Sequence, residues 1–256
     1  MAKLEYKDLL DAGVHFGHLT RKWDPRMSPY IFMEKNGIHI IDLNKTLACL
    51  EEASNAVKQI VRSGKKVMFI ATKKQAKDLV AEEARRLNMP YATERWLGGM
   101  LTNFATIRKS LKKMSTLDKL TKEDAYLNLA KKERLMVSRQ KAKMETVLGG
   151  IADLTRLPAA LFIVDIKREH IAIAEAKKLG IPVFALVDTN SNPNEADFPI
   201  PANDDAFKSV SLLVKAFGAA IEEGLSERKK DKEDAKASEM EAEKKALDAA
   251  AAETKE

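Results

Sequence analysis

The sequence predicts an α/β protein with a mostly parallel sheet, to which a separate and strongly basic helical hairpin is added. The sheet is predicted by three short apolar segments, almost without charge, at 66–71, 160–164 and 182–187. Strands that are buried on both faces of a parallel sheet have such uninterrupted apolar runs. The hairpin is predicted because residues 102–149 show no strand pattern and repeat apolar residues every three or four positions.

A β-hairpin and a long helix are expected before the first parallel strand. Residues 30–33 and 38–41 are two apolar segments around Asn36-Gly37, a dipeptide typical of tight hairpin turns. Asp42 then begins a helix that we expect to reach about residue 62.

Two strand–helix units form the centre of the prediction. The strand at 66–71 is followed by an amphipathic pattern at 75–87, and the strand at 160–164 by a helix at 169–179. That helix stops at a glycine, and the strand at 182–187 follows at once. The order strand, helix, glycine, strand is the βαβ pattern of a parallel sheet.

Between the two units, the apolar spacing predicts two antiparallel helices. The first stripe consists of Leu101, Phe104, Ile107, Leu111, Met114, Leu117 and Leu120, and the second of Leu127, Ala130, Val137, Met144 and Leu148. Thr121 is a candidate N-cap between them, with an acidic first turn of the second helix at 122–124. At 1.5 Å per residue each arm would be about 30 Å long, enough to project from the body. Arg134 and Lys141 fall on or beside the second stripe, so we expect the packing between the two helices to be imperfect and to close fully only against a partner.

A last helix is expected from Asp204-Asp205 to about Gly224, followed by a charged tail. Residues 227–256 combine Lys, Glu and Ala with almost no large apolar residue, so they cannot bury enough surface to fold alone. We therefore divide the chain into an α/β domain at 1–101 and 149–226, a basic hairpin at 102–148, and a disordered or frayed helical tail at 227–256.

The positive charge of the chain is concentrated in the predicted hairpin. The whole sequence has 44 Lys and Arg against 38 Asp and Glu, a formal net charge of +6. Residues 108–145 alone hold twelve Lys or Arg and five Asp or Glu. A focused patch of cations on rigid helix raises the local potential more than diffuse charge does, and it favours a polyanionic partner.

The composition and motifs argue against several classes of protein. The chain has no apolar run of 18 residues and no long apolar segment near Met1, and its single Cys49 allows no intramolecular disulfide. No glycine follows the strand at 66–71 to cradle a pyrophosphate, and no GxxxxGK[ST] motif occurs. No Ser, Cys or base stands in a recognisable catalytic setting. We therefore predict a cytoplasmic protein that is not an enzyme, contacts no membrane and forms no homo-oligomer.

The decapeptide from Arg95 to Phe104, RWLGGMLTNF, is a candidate contact with RNA. Its double glycine permits a tight turn that a sugar-phosphate strand can approach, and Thr102 or Asn103 can cap the basic helix that begins there. The same decapeptide is also expected to be a hinge in which Trp96 and Phe104 pack against the sheet. The two interpretations are compatible.

Two histidines near the N-terminus allow a metal site or a nucleic-acid contact. His15 and His18 have a spacing that suits a metal on a helix, but Gly17 lies between them and no Cys or further His is near in the sequence. Several cationic or aromatic residues follow within eight positions, namely Arg21, Lys22, Trp23 and Arg26. The sequence therefore favours a loop that faces nucleic acid.

Acidic residues follow the predicted strands. Asp165 and Asp188 each come after a strand, so they should meet at the carboxyl edge of the sheet, where they could bind a cation together with Asp204, Asp205 or a histidine. The alternative is a polar turn after Asp188, with Asp204 or Asp205 as the cap of the next helix.

Several motifs together resemble one known family, the bacterial small-subunit ribosomal protein S2 family. They are AGVHFGH at 12–18, RWLGGMLTNF at 95–104, LGG at 148–150, HIAIAEA at 170–176, VDTNS at 187–191 and NDD at 203–205. The match spans about residues 5 to 225, in order and with little insertion. Several long motifs in one order are hard to obtain by chance.

The resemblance implies a fold, a role and partners. It implies a Rossmann-like or flavodoxin-like α/β domain with an inserted coiled-coil hairpin, bound to small-subunit ribosomal RNA. It also implies contact with neighbouring small-subunit proteins, including the large OB-repeat ribosomal protein that captures messenger RNA. No cofactor is implied, except that a divalent ion in some members makes His18, Asp188, Asp204 and Asp205 candidate ligands.

We therefore predict a structural constituent of the small ribosomal subunit that acts in translation and holds RNA by phosphate neutralisation. The predicted RNA-binding residues are Arg21, Lys22, Trp23, Arg26, Arg95, Trp96, Gly98, Gly99, Asn103, Arg108, Lys109, Lys112, Lys113, Lys131, Lys132, Arg139, Lys141 and Lys143. One alternative is an α/β enzyme that binds a phosphosugar or nucleotide near Thr72, Asp165 and Asp188. Another is a coiled-coil adaptor that binds protein.

Overall fold

A computed structural model describes residues 4–121, 126 and 130–253, with side chains up to residue 231 and at 233. It confirms the α/β class. The parallel sheet consists of β4 (Val67–Ile70), β5 (Tyr91–Ala92), β6 (Ala160–Val164), β7 (Val183–Val187) and β8 (Phe198–Pro201). These strands lie in the order β5-β4-β6-β7-β8, and every neighbouring pair is parallel.

Helices cover both faces of this sheet. They are α1 (Tyr6–Asp11), α2 (Leu43–Arg62), α3 (Lys77–Arg86), α4 (Phe104–Leu120), α5 (Lys131–Leu148), α6 (His170–Leu179) and α7 (Phe207–Glu253). Successive strand residues point to opposite faces, so Phe162 packs with α2, α3 and α7, whereas Leu161 packs with α6 and the base of the hairpin. The stacked rings of Phe162 and Phe217, 4.3 Å apart, join β6 to α7.

A second, antiparallel sheet contains β1 (Phe16–Leu19), β2 (Ile31–Lys35) and β3 (Ile38–Ile41) in the order β1-β3-β2. Asn36 and Gly37 both have positive φ, 54° and 73°, as the predicted tight turn requires. The segment around His15 and His18 is not the loop that the sequence suggested, because residues 16–19 pair with β3. Gly17 is needed there, since a Cβ would lie 2.6 Å from Cγ2 of Thr189.

The two strands at the sheet edges have no sequence signal. β8 contains Pro199 and Pro201, and proline removes a backbone donor, so it is tolerated in a strand that has a neighbour on one side only. β5 has only two residues, too few for any alternation to be seen.

Helices α4 and α5 form the predicted antiparallel hairpin, with 17 and 18 residues and lengths of about 25 Å each. Its base is packed into the body, because Ile107, Leu111 and Leu148 are buried there. Thr121 is the C-cap of α4, not the N-cap of the second helix, which begins after Ala130. The expected acidic first turn at 122–124 lies outside the described residues.

The helix expected to end near Gly224 continues in the structure to Glu253 as part of α7. Lys58 of α2 pairs with Glu223 and Glu227, and Arg62 pairs with Asp231. Ala, Lys and Glu also have high helix propensity, which favours continuation of the helix. The division of the chain at 101, 148 and 226 stays a prediction. None of the helices in the described part of the chain is long and apolar enough to cross a membrane.

Candidate nucleic-acid interface

The carboxyl edge of the parallel sheet gathers most of the polar residues that the sequence singled out. Thr72 and Lys73 follow β4, the decapeptide at 95–104 comes after β5, Asp165 follows β6, and Asp188 follows β7. Because all five strands are parallel, their carboxyl ends meet at one edge. The expected proximity of the acidic residues after β6 and β7 is therefore found in the structure, where Lys73 and its neighbours connect them.

The hairpin presents most of its predicted cations to solvent. Those with exposed side chains are Arg108, Lys109, Lys112, Lys113, Lys131, Lys132, Arg139 and Lys143. They avoid the apolar stripe, which is why both helices can pack at their base and still display charge. Lys119 on α4 is a further exposed cation that the prediction did not include.

Lys141 differs from the other predicted hairpin cations. Its Nζ lies 2.5 Å from Oδ1 of Asp118 and donates to Thr121 Oγ1 at 3.3 Å, so it links α5 to α4. The hydrogen bond that Lys141 donates to Asp118 raises the pKa of Lys141. Lys141 thus helps to join the two helices, as its place beside the apolar stripe indicated.

The decapeptide at 95–104 forms the root of the first hairpin helix. Arg95 and Gly98 are exposed, whereas Trp96 is only 7% exposed and packs in the core. Gly99 has a φ of +85°, a backbone conformation that a side chain would strain. Trp96 therefore packs in the core, as expected if the decapeptide is a hinge. Its indole ring is too buried to stack on an RNA base.

Hydrogen-bond donors of the same loop converge on one residue that was not among the predicted site residues. Glu175 of α6 is buried, and its carboxylate accepts hydrogen bonds from the Trp96 indole and from three backbone N–H groups of the loop. Burial raises the pKa of Glu175, but these hydrogen bonds outweigh that effect and hold its pKa below the ordinary value. Asn103 does not cap α4 with its side chain; its Oδ1 accepts from Thr106 Oγ1 instead.

The segment after β1 is basic and exposed at one side of this edge. Arg21, Lys22 and Arg26 are exposed, and the ring of Trp23, 38% exposed, lies 5.0 Å from the ring of His39. The backbone N–H of Asp24 donates to the carbonyl oxygen of Thr189 at 2.8 Å, which fixes the segment against the end of β7. Cations and an accessible ring on a fixed backbone suit contact with RNA.

A cluster of ionisable residues lies at the centre of the edge. His18 Nδ1 is 3.0 Å from Asp188, and its Nε2 is 3.4 Å from Asp205. Lys73 Nζ is 2.7 Å from Asp204, 2.6 Å from Asp205 and 3.8 Å from Asp165.

The pKa values in this cluster are shifted by burial and by the neighbouring charges. Burial, together with the charges of Asp188 and Asp165, raises the pKa of Asp204 to about 7. The hydrogen bond from the imidazole of His18 to Asp188 raises the pKa of His18. Burial lowers the pKa of Lys73, but the nearby Asp204 and Asp205 outweigh it and the net shift is upward.

The donor set of this cluster fits a divalent cation. His18, Asp188 and Asp204 each offer a ligand atom, and these atoms lie within 4.8 Å of one another. Oδ2 of Asp204 is buried without a hydrogen-bond partner among the described residues. One imidazole and two carboxylates suit Zn²⁺, and Lys73 already neutralises part of the acidic charge. The carboxylates of Asp204 and Asp205 bind Lys73, and Asn203 Oδ1 accepts from the N–H groups of Asp205 and Ala206 just before α7, so neither aspartate forms the helix cap that the sequence suggested.

The fold and the exposed cations are those of a structural α/β protein that carries an exposed basic hairpin. Comparison with known proteins gives the family. A model of the family "Ribosomal protein S2" matches residues 9–224. The chain belongs to this family, which confirms the resemblance, the fold class and the prediction that the protein is structural and not an enzyme.

Individual relatives agree with the family model over nearly the whole chain. The chain is 73% identical over 248 residues to "Small ribosomal subunit protein uS2" of Cytophaga hutchinsonii, covering 97% of this chain and 98% of that protein. It is 63% identical to the protein of the same name from Phocaeicola vulgatus, with 93% and 85% covered. The protein of that name from Flavobacterium johnsoniae is 64% identical, with 90% and 91% covered.

Proposed function

We propose that the exposed cations of the hairpin, together with the basic segment at 21–26 and Arg95, form the surface through which the chain binds small-subunit ribosomal RNA. As a member of its family, the chain is a structural component of the small ribosomal subunit and acts in translation. It belongs to the ribosome of the cytoplasm, where such a protein contacts ribosomal RNA and other ribosomal proteins.

The proposed surface is supported by the exposure of its cations and by their lack of ion pairs within the described residues. None of the eight predicted cations that are exposed on the hairpin forms an ion pair with another residue in the described ranges. An unpaired, exposed ammonium or guanidinium can neutralise a phosphate without first breaking an internal contact. The packed base of the hairpin keeps these cations in fixed places relative to the sheet.

The remaining predicted residues have separate parts in this proposal. Gly98, Gly99 and Asn103 would let the loop backbone approach the sugar-phosphate strand. Trp23 would offer an accessible ring to an unstacked base. Trp96 is buried, and we assign it to the loop's conformation.

Sedimentation of the tagged protein from a lysate, with and without ribonuclease, tests the proposal. The protein should move with small subunits, and digestion of the RNA should release it. A coiled-coil adaptor would instead keep its partner after ribonuclease treatment. Such a result would contradict RNA binding by the hairpin.

A second surface suits a protein partner, and we assign it to the large OB-repeat ribosomal protein. An apolar groove of about 530 Å³ lies between α1 and the antiparallel sheet. Its lining includes the exposed residues Tyr6, Leu10, Phe16, Phe32 and Met33. An apolar groove with few cations is a poor site for RNA and a suitable one for the apolar face of a protein.

The groove can be tested separately from the RNA surface. Phe32 is 70% exposed, so Phe32→Ser should leave the fold intact and weaken capture of the purified OB-repeat protein. Phe207→Ser removes another exposed ring, 59% exposed and outside the groove, and serves as the matched control. Equal capture by both variants would argue against docking at the groove.

A further inference from the structure

One buried carboxylate joins the body of the protein to the root of the hairpin. Oε1 of Glu175 accepts from Trp96 Nε1 at 3.1 Å and from the Gly99 N–H at 2.7 Å. Oε2 accepts from the N–H groups of Leu101 and Thr102 at 2.9 and 3.0 Å, and from Thr102 Oγ1 at 3.1 Å. Five donors of one loop therefore share a single acceptor group.

The elements that Glu175 connects are distinct. Glu175 lies on α6, a helix of the α/β body, and is 7% exposed. The loop that it binds leads directly into α4, since Thr102 is only two residues before Phe104. At the other end of the hairpin, Gly150 follows α5 and packs closely against β5, since a Cβ there would overlap the carbonyl oxygen of Tyr91.

Besides Glu175, the loop is held by two backbone hydrogen bonds of its own, from Met100 to Leu97 and from Asn103 to Gly99, and by the buried side chains of Met100 and Leu101, but its glycines have little support of this kind. Gly98 has nothing within 4 Å of the place where a Cβ would be, and the backbone at Gly99 is in the left-handed region. Two consecutive glycines make a flexible backbone that must be held by contacts. Removal of the Glu175 carboxylate would leave the buried N–H group of Leu101 and the partly buried N–H group of Thr102 without their acceptor.

We propose that Glu175 is the positioning residue of the RNA-binding surface, and that its carboxylate sets the direction in which the basic hairpin leaves the sheet. This inference rests on the proposed function of the hairpin. Glu175 touches no RNA itself, because it is buried beneath the loop. It fixes where the cations of α4 stand relative to the basic segment at 21–26.

The test compares two buried glutamates at the same helix. Glu175→Gln keeps the size of the side chain but places an amide NH₂ against N–H donors. Glu169→Gln is the matched control, because Glu169 is the N-cap residue of α6, is 3% exposed and is bonded to Thr72, away from the loop. Trp96→Phe is a second variant, which removes the indole N–H donor together with part of the buried ring and leaves the four other donors of the loop in place. Circular dichroism checks that each variant is folded.

Spin-label distances measure the direction of the hairpin without RNA. The labels are placed at Ser138→Cys on α5 and Gln59→Cys on α2, both exposed, in a Cys49→Ala background. We expect one narrow distance distribution in the parental chain and in Glu169→Gln, a broad one in Glu175→Gln, and an intermediate one in Trp96→Phe. A narrow, unchanged distribution in Glu175→Gln would overturn the inference.

Binding to small subunits that lack this protein measures the consequence. Glu175→Gln should bind about tenfold more weakly than Glu169→Gln, although both lose one negative charge. Equal affinity of these two variants would overturn the role in RNA binding, even if the distance distribution broadens. Failure of the parental chain to bind would contradict the proposed function, whereas the distance measurement would still decide whether Glu175 positions the hairpin.

Discussion

Lys141 and Asp118 form an ion pair across the two helices of the hairpin, with Nζ and Oδ1 2.5 Å apart. Lys143 is exposed two residues further along α5. The two lysines therefore have different expected roles, although the sequence assigned both to RNA.

The first prediction separates these lysines. Lys143→Ala should make the negative slope of log affinity against log salt shallower by about 1, because one phosphate contact is lost. It should leave the melting temperature unchanged. Lys141→Ala should lower the melting temperature slightly and leave the slope unchanged. Thermal unfolding and salt titration of RNA binding check both. Identical behaviour of the two variants would refute the distinction.

The second prediction concerns the exposed face of α4. Reversal of charge at Lys109, Lys112 and Lys113 should weaken RNA binding strongly while the protein stays folded, because these side chains avoid the apolar stripe. The control reverses Lys65, Lys177 and Lys178, exposed cations at the opposite edge of the sheet. Loss of helicity in the α4 variant would show that the stripe was misassigned, and equal weakening by both triple variants would show that only net charge matters.

The third prediction is the salt dependence of the parental chain. If six phosphates are neutralised, the slope of log affinity against log salt should be near −5, at about −0.9 per phosphate of a duplex. Titration between about 50 and 200 mM salt covers a large change in affinity for such a slope. Affinity that hardly changes over this range would be inconsistent with phosphate neutralisation.

The fourth prediction concerns the cluster of His18, Asp188 and Asp204. Zn²⁺ that binds only the folded protein should raise its melting temperature, with about 2.7 kcal/mol of stabilisation at a concentration of 100 Kd. His18→Ala should abolish this increase, and alanine at the exposed His170 should keep it. An equal increase in melting temperature in the parental chain and in both histidine variants would show that the ion binds elsewhere.

Much of the fold could be predicted because it depends on local patterns. The buried strand at 160–164 and the Asn36-Gly37 turn have signals within a few residues, and the structure has both where the sequence put them. β8 could not be predicted, because Pro199 and Pro201 argue against a strand unless its place at the sheet edge is known.

The site was predictable in its charges and not in its contacts. The exposed cations of the hairpin follow from helical spacing, but the pairing of Lys141 with Asp118 depends on how two helices align. Glu175 lies more than 70 positions from the loop that it binds, and although it belongs to the HIAIAEA motif at 170–176, helical spacing alone does not show which residue its carboxylate contacts. The approach of His18 to Asp188 likewise depends on β1, which only the tertiary structure reveals.

RNA binding by the hairpin is tested most directly by a map of the assembled small subunit at side-chain resolution. We expect the exposed cations of α4 and α5 to lie within hydrogen-bonding distance of ribosomal RNA phosphates. A map in which the hairpin extends into solvent, or contacts only protein, would contradict this expectation.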